Sequence, residues 1–427
     1  MVLTMNKTNL KAIQFLDSIN MGFDLGSFEI LRDNCVSEME KSLAGKSASL
    51  EMIPTWITAD LPVPEDTPCI AVDAGGTNLR IGIVEFKHDK APRIVTICRM
   101  PIPGSVSEVT AADFFETIAR PLAPLIKDCG RIGFVFSYSA ESLPSHDARA
   151  ISLAKGICVQ GIEGLLLGEQ LICALDRIGT NKTKSPHITV LNDTTASLLV
   201  TNRYSGERPI LPAAFILGTG LNIAYSEASQ IINTEIGGAD FFPRGECDER
   251  IDGASNNPTE HQLEKMISGA YIGPLVTDAV RSAASGRLFS KAANPLLANL
   301  PDIASSEIND WISGKLHQSR YATIMQSMTK EDHDFLRTIA VSLINRGALY
   351  CAAAMSAALH LENRAIPGAR TAVISCNGST YMKLHGFKNM FEAYLAKWVT
   401  EKQGIKINYM YEDEGPMIGA AIAGLTT

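Results

Sequence analysis

The sequence lacks several features that would assign it quickly to a class of protein. It has no CxxC pair, and its nine cysteines are an odd number, scattered along the chain. This usage favours reduced thiols in a cytosolic protein, several of them in the core. No run of five or more like charges occurs, and the net charge of −8 argues against a nucleic-acid-binding surface.

Long apolar runs are also scarce. The longest, residues 347–361, is rich in alanine and too short to span a bilayer. The first residues, MVLTMNKTNLK, lack the apolar core of a signal peptide. We therefore expect a cytoplasmic protein without membrane association. The chain has 427 residues, 46% of them hydrophobic and 20% charged, which is typical of a soluble globular protein with two or three domains.

A predicted hairpin at residues 69–86, CIAVDAGGTNLRIGIVEF, contains the most informative turn. Paired glycines let backbone N–H groups approach an anion, and Thr77 and Asn78 add side-chain donors. Asp73, at the end of the first strand, is placed to hold a hydrated metal ion or a phosphate-bound water. An ordinary tight turn explains this stretch about equally well when it is taken alone.

A second hairpin repeats this design. A strand at 213–217 meets the turn GTGLN at 218–222, and another strand follows. Each hairpin begins its own β-rich unit. Two matching glycine turns are less probable by chance than one, so a duplicated fold with a nucleotide between its halves is the economical explanation.

Asn192 and Asp193 follow a predicted buried strand at 188–191 and open a helix. Helix capping explains this segment and is favoured on the segment alone. The alternative is that Asp193 lies in a cleft and accepts a proton from a substrate hydroxyl. The alternation of strands and helices places Asp73, Ser137 and Asp193 at one edge of one sheet.

The remaining pattern is mostly helical. It predicts helices at 10–19, 25–43 and 111–128 and a proline-containing connector at 47–64. The connection between Ser137 and Lys155 is predicted to be long and polar. Glu235 lies in a turn and Glu264 on an apolar helix; two such carboxylates near a glycine turn would suit a polyol, whose hydroxyls need acceptors.

Six segments, in order along nearly the whole chain, resemble motifs of the eukaryotic-type hexokinase/glucokinase family of the actin-like ATPase superfamily. They are residues 73–80, 192–198, 217–222, 233–235, 264–273 and 376–381. The resemblance implies an α/β, two-domain actin-like ATPase (ribonuclease H-like) fold with a cleft between a small and a large domain. The small domain would span 66–195 with the C-terminal helix 415–427, and the large domain 1–65 and 196–412.

The resemblance also implies an ATP-dependent hexose kinase that phosphorylates the 6-hydroxyl of glucose, fructose or mannose. Asp193 would be the general base and Lys155 a catalytic cation. The sugar-binding residues would be Ser137, Lys155, Asn192, Asp193, Asn222, Glu235 and Glu264. The residues that bind Mg-ATP would be Asp73, Gly75, Gly76, Thr77, Asn78, Arg80, Gly218, Thr219, Gly220, Gly378, Ser379 and Gly415. No residue would bind the metal directly, since Mg²⁺ would arrive with ATP and reach Asp73 through water. The partners would be hexose and ATP, not nucleic acid or membrane, and homodimer formation is left open.

The sugar segments depart from the family. Its Ser-Phe-Pro reads Ser137-Tyr138-Ser139, and its Trp-Thr-Lys-Gly reads Leu-Ala-Lys-Gly at 153–156. Because a lost hydroxyl contact is worth about 1 kcal/mol, we expect altered sugar affinity and selectivity.

Two alternatives stay open, a non-catalytic sugar sensor of this fold and an actin- or chaperone-like ATPase. A bacterial ROK-type kinase ranks low, because that family's Cys/His zinc cluster is missing.

Overall fold

A computed structural model describes residues 7–76, 78–88, 91–127, 129–153, 157–179, 185–202, 209–315 and 321–427. The strands are β1 Ile53–Thr58, β2 Cys69–Gly75, β3 Asn78–Glu85, β4 Arg93–Pro101, β5 Val109–Thr110, β6 Arg131–Phe136, β7 Ser139–Ser142, β8 Ala148–Ser152, β9 Val159–Gln160, β10 His187–Leu191, β11 Ile210–Leu217, β12 Leu221–Glu227, β13 Gln230–Asn233, β14 Thr371–Asn377 and β15 Lys406–Met410. The helices are α1 Lys7–Ser18, α2 Phe28–Leu43, α3 Ala111–Leu122, α4 Leu167–Arg177, α5 Asp193–Leu199, α6 Glu246–Gly253, α7 Gln262–Ile267, α8 Ile272–Ser285, α9 Asn294–Ala298, α10 Ile308–Ser313, α11 Ala322–Gln326, α12 Lys330–Ala365, α13 Ser379–Lys383, α14 Phe387–Leu395 and α15 Gly415–Thr426.

Two sheets share one plan. The first has the order β10-β6-β2-β3-β4, and the second β1-β13-β12-β11-β14-β15. In the first sheet, β2, β3 and β4 form an antiparallel meander, β6 is parallel to β2, and β10 is parallel to β6. In the second sheet, β11, β12 and β13 form the meander, β14 is parallel to β11, and β15 is parallel to β14. The two glycine turns join the first two strands of each meander. The duplication expected from the paired hairpins is therefore present in the strand order itself.

Three details of the local expectations were wrong. The connector at 47–64 contains β1, which lies at the edge of the second sheet. Pro54 is tolerated there because not every residue of an edge strand has to donate its backbone N–H to a neighbouring strand. The polar connection after Ser137 contains the hairpin β7–β8. The helix predicted at 111–128 begins at its Thr110 cap as expected but ends at Leu122, with Pro121 in its last turn.

The alanine-rich run at 347–361 lies within α12, the longest helix described. By length and composition α12 could cross a membrane, yet 94% of its most apolar window is buried inside the protein. It contacts α1, α2, α8 and α14 and the second sheet through β12. The run is therefore the central helix of the larger core, which explains why it is apolar on every side.

A third core lies between the two sheets. Its centre is the pair of helices α5 and α15, which pack closely on each other. Helix α15 also contacts β2 and β6 of the first sheet, and α5 contacts β11 and β12 of the second. The small residues of α15, GPMIGAAIAGLT, let the two helices approach each other. The two halves of the chain thus share a dry, alanine- and glycine-rich layer, whereas the exact domain boundaries stay a prediction.

We expect Gly419→Ala to destabilise the protein. A Cβ atom at Gly419 would lie 1.9 Å from the carbonyl oxygen of Ala196, so α5 and α15 would have to separate. Overpacking of this kind costs about 1–3 kcal/mol of unfolding free energy. The matched control is Gly253→Ala in α6, where no atom lies within 4 Å of the added carbon. Equal unfolding midpoints for the two variants in a urea titration would contradict this account.

Candidate active site

Two adjoining cavities lie where strands of both sheets end. The smaller has a volume of about 480 Å³ and is lined by the ends of β2 and β14 and the start of α15. The larger has a volume of about 1330 Å³ and is lined by the β11–β12 turn, the β7–β8 hairpin and the segment around α7. Gly76, Ser137, Asp193 and Ile216 line both cavities. In doubly wound sheets, ligands bind at such strand ends.

The β2–β3 turn forms one wall of the smaller cavity. Gly75 pairs with Asn78 at the end of the hairpin, and Gly76 has the left-handed φ of 57° that favours glycine. Asp73 is buried, and its Oδ2 accepts hydrogen bonds from Arg80 Nε at 2.9 Å and Nη2 at 2.6 Å. Burial raises the pKa of Asp73, and the Arg80 guanidinium opposes that rise.

The second turn brings a carboxylate close to backbone N–H groups. Glu264 of α7 accepts a hydrogen bond from the Leu221 N–H at 2.9 Å. A Cβ at Gly220 would lie 2.5 Å from Glu264 Oε2, so a larger residue there would displace the Glu264 carboxylate from this position. The Thr380 hydroxyl and the Gly269 N–H both donate to the Gly218 carbonyl, at 2.8 and 2.7 Å. The turn is thus held from two sides, by α7 and by α13.

The sequence left open whether Asp193 caps a helix or lies in a cleft, and the structure assigns the cap to its neighbour Asn192. Asn192 is the N-cap of α5, because its side chain accepts a hydrogen bond from the Thr194 N–H at 2.8 Å. Asp193 is the first residue of the helix, and its Oδ1 accepts a hydrogen bond from the Thr194 hydroxyl at 3.2 Å. Capping therefore falls to the asparagine, and the aspartate lines both cavities.

A cluster of two amides and a carboxylate lines the larger cavity. Glu235 Oε1 accepts hydrogen bonds from Asn233 Nδ2 at 2.7 Å and Asn222 Nδ2 at 3.1 Å. Asn222 Nδ2 also donates to Asn233 Oδ1 at 2.8 Å. Burial raises the pKa of Glu235 to about 6, with the Asn233 hydrogen bond opposing. Glu235 has a φ of 50°, an uncommon conformation for a glutamate.

Most of the predicted site residues meet in this pair of cavities. Those lining the smaller cavity are Asp73, Gly75, Gly76, Asn78, Arg80, Ser137, Asp193 and Gly378. Those lining the larger one are Gly76, Ser137, Asn192, Asp193, Gly218, Thr219, Gly220, Asn222, Glu235 and Glu264. Ser379 and Gly415 stand next to lining residues without lining either cavity. Thr77 and Lys155 lie outside the described residues, so their predicted roles stay predictions.

Several lining residues escaped the sequence analysis. Arg99 and Asp413 line the smaller cavity, and Glu51, Asp240 and His261 the larger. Two of them had a usable signal. Arg99 lies on the strand after Arg80 and pairs with it, and His261 precedes Glu264 by about one helical turn. Glu51 had none, because its segment was read as a connector.

This geometry can be compared with known proteins. Two family models, both described as hexokinase, match this chain, one over residues 19–204 and the other over residues 212–426. Hexokinase-1 of Schizosaccharomyces pombe is 26% identical, covering 97% of this chain and 91% of the relative. Hexokinase-1 of Spinacia oleracea is also 26% identical, covering 94% of this chain and 88% of the relative.

A solved structure agrees over the full length. The hexokinase of Schistosoma mansoni, solved in complex with glucose, superposes with a TM-score of 0.78 and 22% identity, covering 99% of each chain. This agreement confirms the expected two-domain actin-like ATPase fold. Together with the family matches, which span both halves, it establishes that the chain belongs to the hexokinase family of ATP-dependent hexose kinases.

Proposed function

We propose that this kinase transfers the γ-phosphoryl group of ATP to the 6-hydroxyl of a hexose, with glucose as the first candidate and fructose and mannose next. The observation that carries the proposal is the position of Asp193, which lines both the small cavity and the large one. A carboxylate at that junction can accept the proton of a hydroxyl in the large cavity as the oxygen attacks a phosphorus atom in the small one.

The larger cavity supplies groups suited to a sugar. Glu235 and Glu264 each have one oxygen engaged by protein donors, Oε1 and Oε2 respectively. No described residue donates a side-chain or backbone hydrogen bond to Glu235 Oε2 or Glu264 Oε1. Carboxylate oxygens accept hydroxyl protons strongly, and the amide of Asn222 adds a donor. Glucose bound to the related Schistosoma hexokinase supports the choice of glucose.

The smaller cavity supplies groups suited to Mg-ATP. Its glycine turn can present N–H groups to phosphate oxygens, and Gly378 opens the turn after β14 next to it. Magnesium fits as a water-bridged ion: Asp73 Oδ2 is engaged by Arg80, and no described residue donates to Asp73 Oδ1. The described residues contain no cluster of three or more His, Cys, Asp or Glu that could hold a metal. When bound with ATP, the ion would neutralise phosphate charge.

Other parts of the proposal rest on the family. Lys155 would add a cation near the transferred group, and closure of the cleft over the sugar would exclude water, which competes as a phosphoryl acceptor. A cytoplasmic location is proposed from the cysteine usage and composition. The sugar-sensor and the actin- or chaperone-like ATPase alternatives are disfavoured, because Asp193, both glycine turns and the carboxylates suited to a sugar occur together.

Asp193→Asn should abolish turnover while sparing sugar binding. Loss of a general base lowers kcat by about 10²- to 10⁴-fold, whereas the amide keeps the size and polarity of the side chain. Glucose-dependent ADP release in a coupled assay measures the first effect, and glucose-induced thermal stabilisation the second. Asp310→Asn, on the exposed face of α10, is the control for the chemical change. Unchanged turnover in the Asp193 variant would remove this residue as the base.

A panel of hexoses at fixed Mg-ATP should rank glucose, fructose and mannose and identify the acceptor hydroxyl. We expect 6-deoxyglucose to raise the melting temperature with concentration, as mass action requires, without releasing ADP above background. Formation of a phosphorylated 6-deoxyglucose would show that another hydroxyl is the acceptor, whereas ADP release without this product would indicate transfer to water. Failure of every hexose to stabilise the protein would favour the ATPase alternative.

The KM for glucose should depend on pH through Glu235. Because burial raises its pKa to about 6, Glu235 is ionised above that pH and accepts sugar hydroxyls, whereas below it the protonated carboxyl accepts poorly. Glu51, Asp193 and His261 also influence this group, the acids raising and the histidine lowering its pKa. We expect the KM to rise by up to about tenfold per pH unit as pH falls below 6. Glu235→Gln should have a raised KM for glucose that does not rise further as the pH falls below 6. A wild-type KM that stays constant between pH 5 and 7 would contradict the role of Glu235 in sugar binding.

A further inference from the structure

We infer that Tyr138 is a positioning residue of this kinase, whose hydroxyl holds the Gly76 peptide of the β2–β3 turn in the conformation that receives the phosphates of ATP. The inference rests on the proposed function of the smaller cavity. It concerns a side chain at which this sequence departs from the family, in the segment that reads Ser-Tyr-Ser at 137–139 where the family has Ser-Phe-Pro.

The turn that Tyr138 contacts contains two successive glycines and has little conformational preference of its own. The ladder between β2 and β3 ends at the pair Gly75 and Asn78, and Gly76 beyond it has a φ of 57°. Glycine occupies left- and right-handed backbone regions about equally, and it loses more conformational freedom on ordering than any other residue. A turn of this composition therefore keeps one shape only if contacts from outside the hairpin fix it.

Two successive residues after β6 supply such contacts. Ser137 lies at the base of the turn, where its N–H donates to the Ala74 carbonyl at 3.2 Å. A Cβ at Gly75 would lie 3.0 Å from Ser137 Oγ, so the two chains approach closely there. Tyr138 lies at the tip, where its hydroxyl donates to the Gly76 carbonyl at 2.7 Å. The first contact fixes the end of the strand, and the second fixes the glycine beyond it.

The tyrosine ring is itself held firmly, so its hydroxyl has a defined direction. Tyr138 is buried, and its ring packs edge-on against Phe136 with the ring centroids 5.0 Å apart. Burial raises the pKa of Tyr138, and the carboxylates of Asp73 and Asp193 add to this effect. The hydroxyl therefore stays protonated at neutral pH and can donate to the carbonyl.

A bond to the Gly76 carbonyl also determines which groups face the phosphate site. Gly76 lines both cavities, whereas Tyr138 lines the larger one. The bond therefore directs the carbonyl toward the wall of the larger cavity, where its oxygen does not repel phosphate oxygens. In a planar trans peptide the N–H group points away from the carbonyl, so the donor side of the peptide unit is left for the anion.

Satisfaction of a buried hydroxyl is the alternative role of this bond. A phenylalanine would bury the same ring with no hydroxyl to satisfy, so packing alone does not require a tyrosine. Tyr350 offers a matched comparison, because this buried residue donates its hydroxyl to the Pro243 carbonyl at 3.2 Å and lines neither cavity. Replacing either tyrosine with phenylalanine removes one bond to a backbone carbonyl, and Tyr138 is the one of the two that is bonded to the glycine turn.

The test compares Tyr138→Phe and Tyr350→Phe with the wild type in the full-length protein. We expect Tyr138→Phe to raise the KM for ATP about three- to tenfold, the effect of losing one hydrogen bond that orders the turn. The affinity of adenosine, measured as a competitive inhibitor against ATP, should not change, because adenosine has no phosphate. The KM for glucose should stay within about twofold, since the ring remains in the wall of the larger cavity.

The Tyr350 variant separates this role from a structural one. Each variant loses one hydrogen bond to a backbone carbonyl, yet Tyr350→Phe should keep the wild-type KM for ATP. An unchanged KM for ATP in Tyr138→Phe, an equal loss of affinity for adenosine, or the same rise in Tyr350→Phe would each overturn the inference. Wild-type protein without hexose-dependent ADP release would instead refute the proposed function itself.

Discussion

The close packing of α5 on α15 is the contact on which the geometry of the cleft depends. Gly419 lies against the backbone of Ala196, and Gly133 of β6 lies against that of Ala420. Both helices begin at the cavities: α5 with Asp193 and α15 just after Glu414. The separation between Asp193 and the opposite sheet is thus set by backbone-to-backbone contacts, which are far stiffer than contacts between long side chains.

Charge in the smaller cavity is arranged around the same helices. Glu414, immediately before α15, binds Arg80, which also binds Asp73 at the end of β2. These two ion pairs connect β2 of the first sheet to the start of α15, the helix that lies between the two sheets. Burial and, to a smaller extent, Asp193 raise the pKa of Asp73, whereas Arg80 favours its ionised form and offsets its negative charge. Asp73 is thus paired with Arg80, whereas Asp193 lines both cavities and is the residue proposed for proton transfer.

The sequence was sufficient for much of this picture, and the reasons are physical. The glycine turns at 75–76 and 218–220 were recognisable as a pair: either one alone could be an ordinary hairpin turn, but two matching turns are less probable by chance. Asp193 could not be separated from a helix cap by local pattern, since asparagine and aspartate cap equally well. Only the hydrogen bond from Thr194 to Asn192 shows which of the two neighbours fills that role.

Other residues were missed because their roles depend on distant contacts, although Arg99 and His261 also carried a local signal. β1 pairs with β13 across about 175 residues of chain, so its short, proline-containing sequence carries no local signal of being a strand. The position of Arg99 opposite Arg80 depends on the register of β3 and β4, and a bulge changes this register between Ile81 and Gly82. Glu51 and His261 enter the larger cavity through the loops around β1 and α7.

One departure from the family's sugar motifs, at Tyr138, connects the walls of the two cavities. Tyr138, where the family has phenylalanine, lines the larger cavity and donates its hydroxyl to the Gly76 carbonyl at 2.7 Å. Gly76 lies in the turn proposed to hold the phosphates and lines both cavities. A phenylalanine could not make this bond. In this chain the wall of the proposed sugar site is therefore hydrogen-bonded to the turn proposed to hold the phosphates.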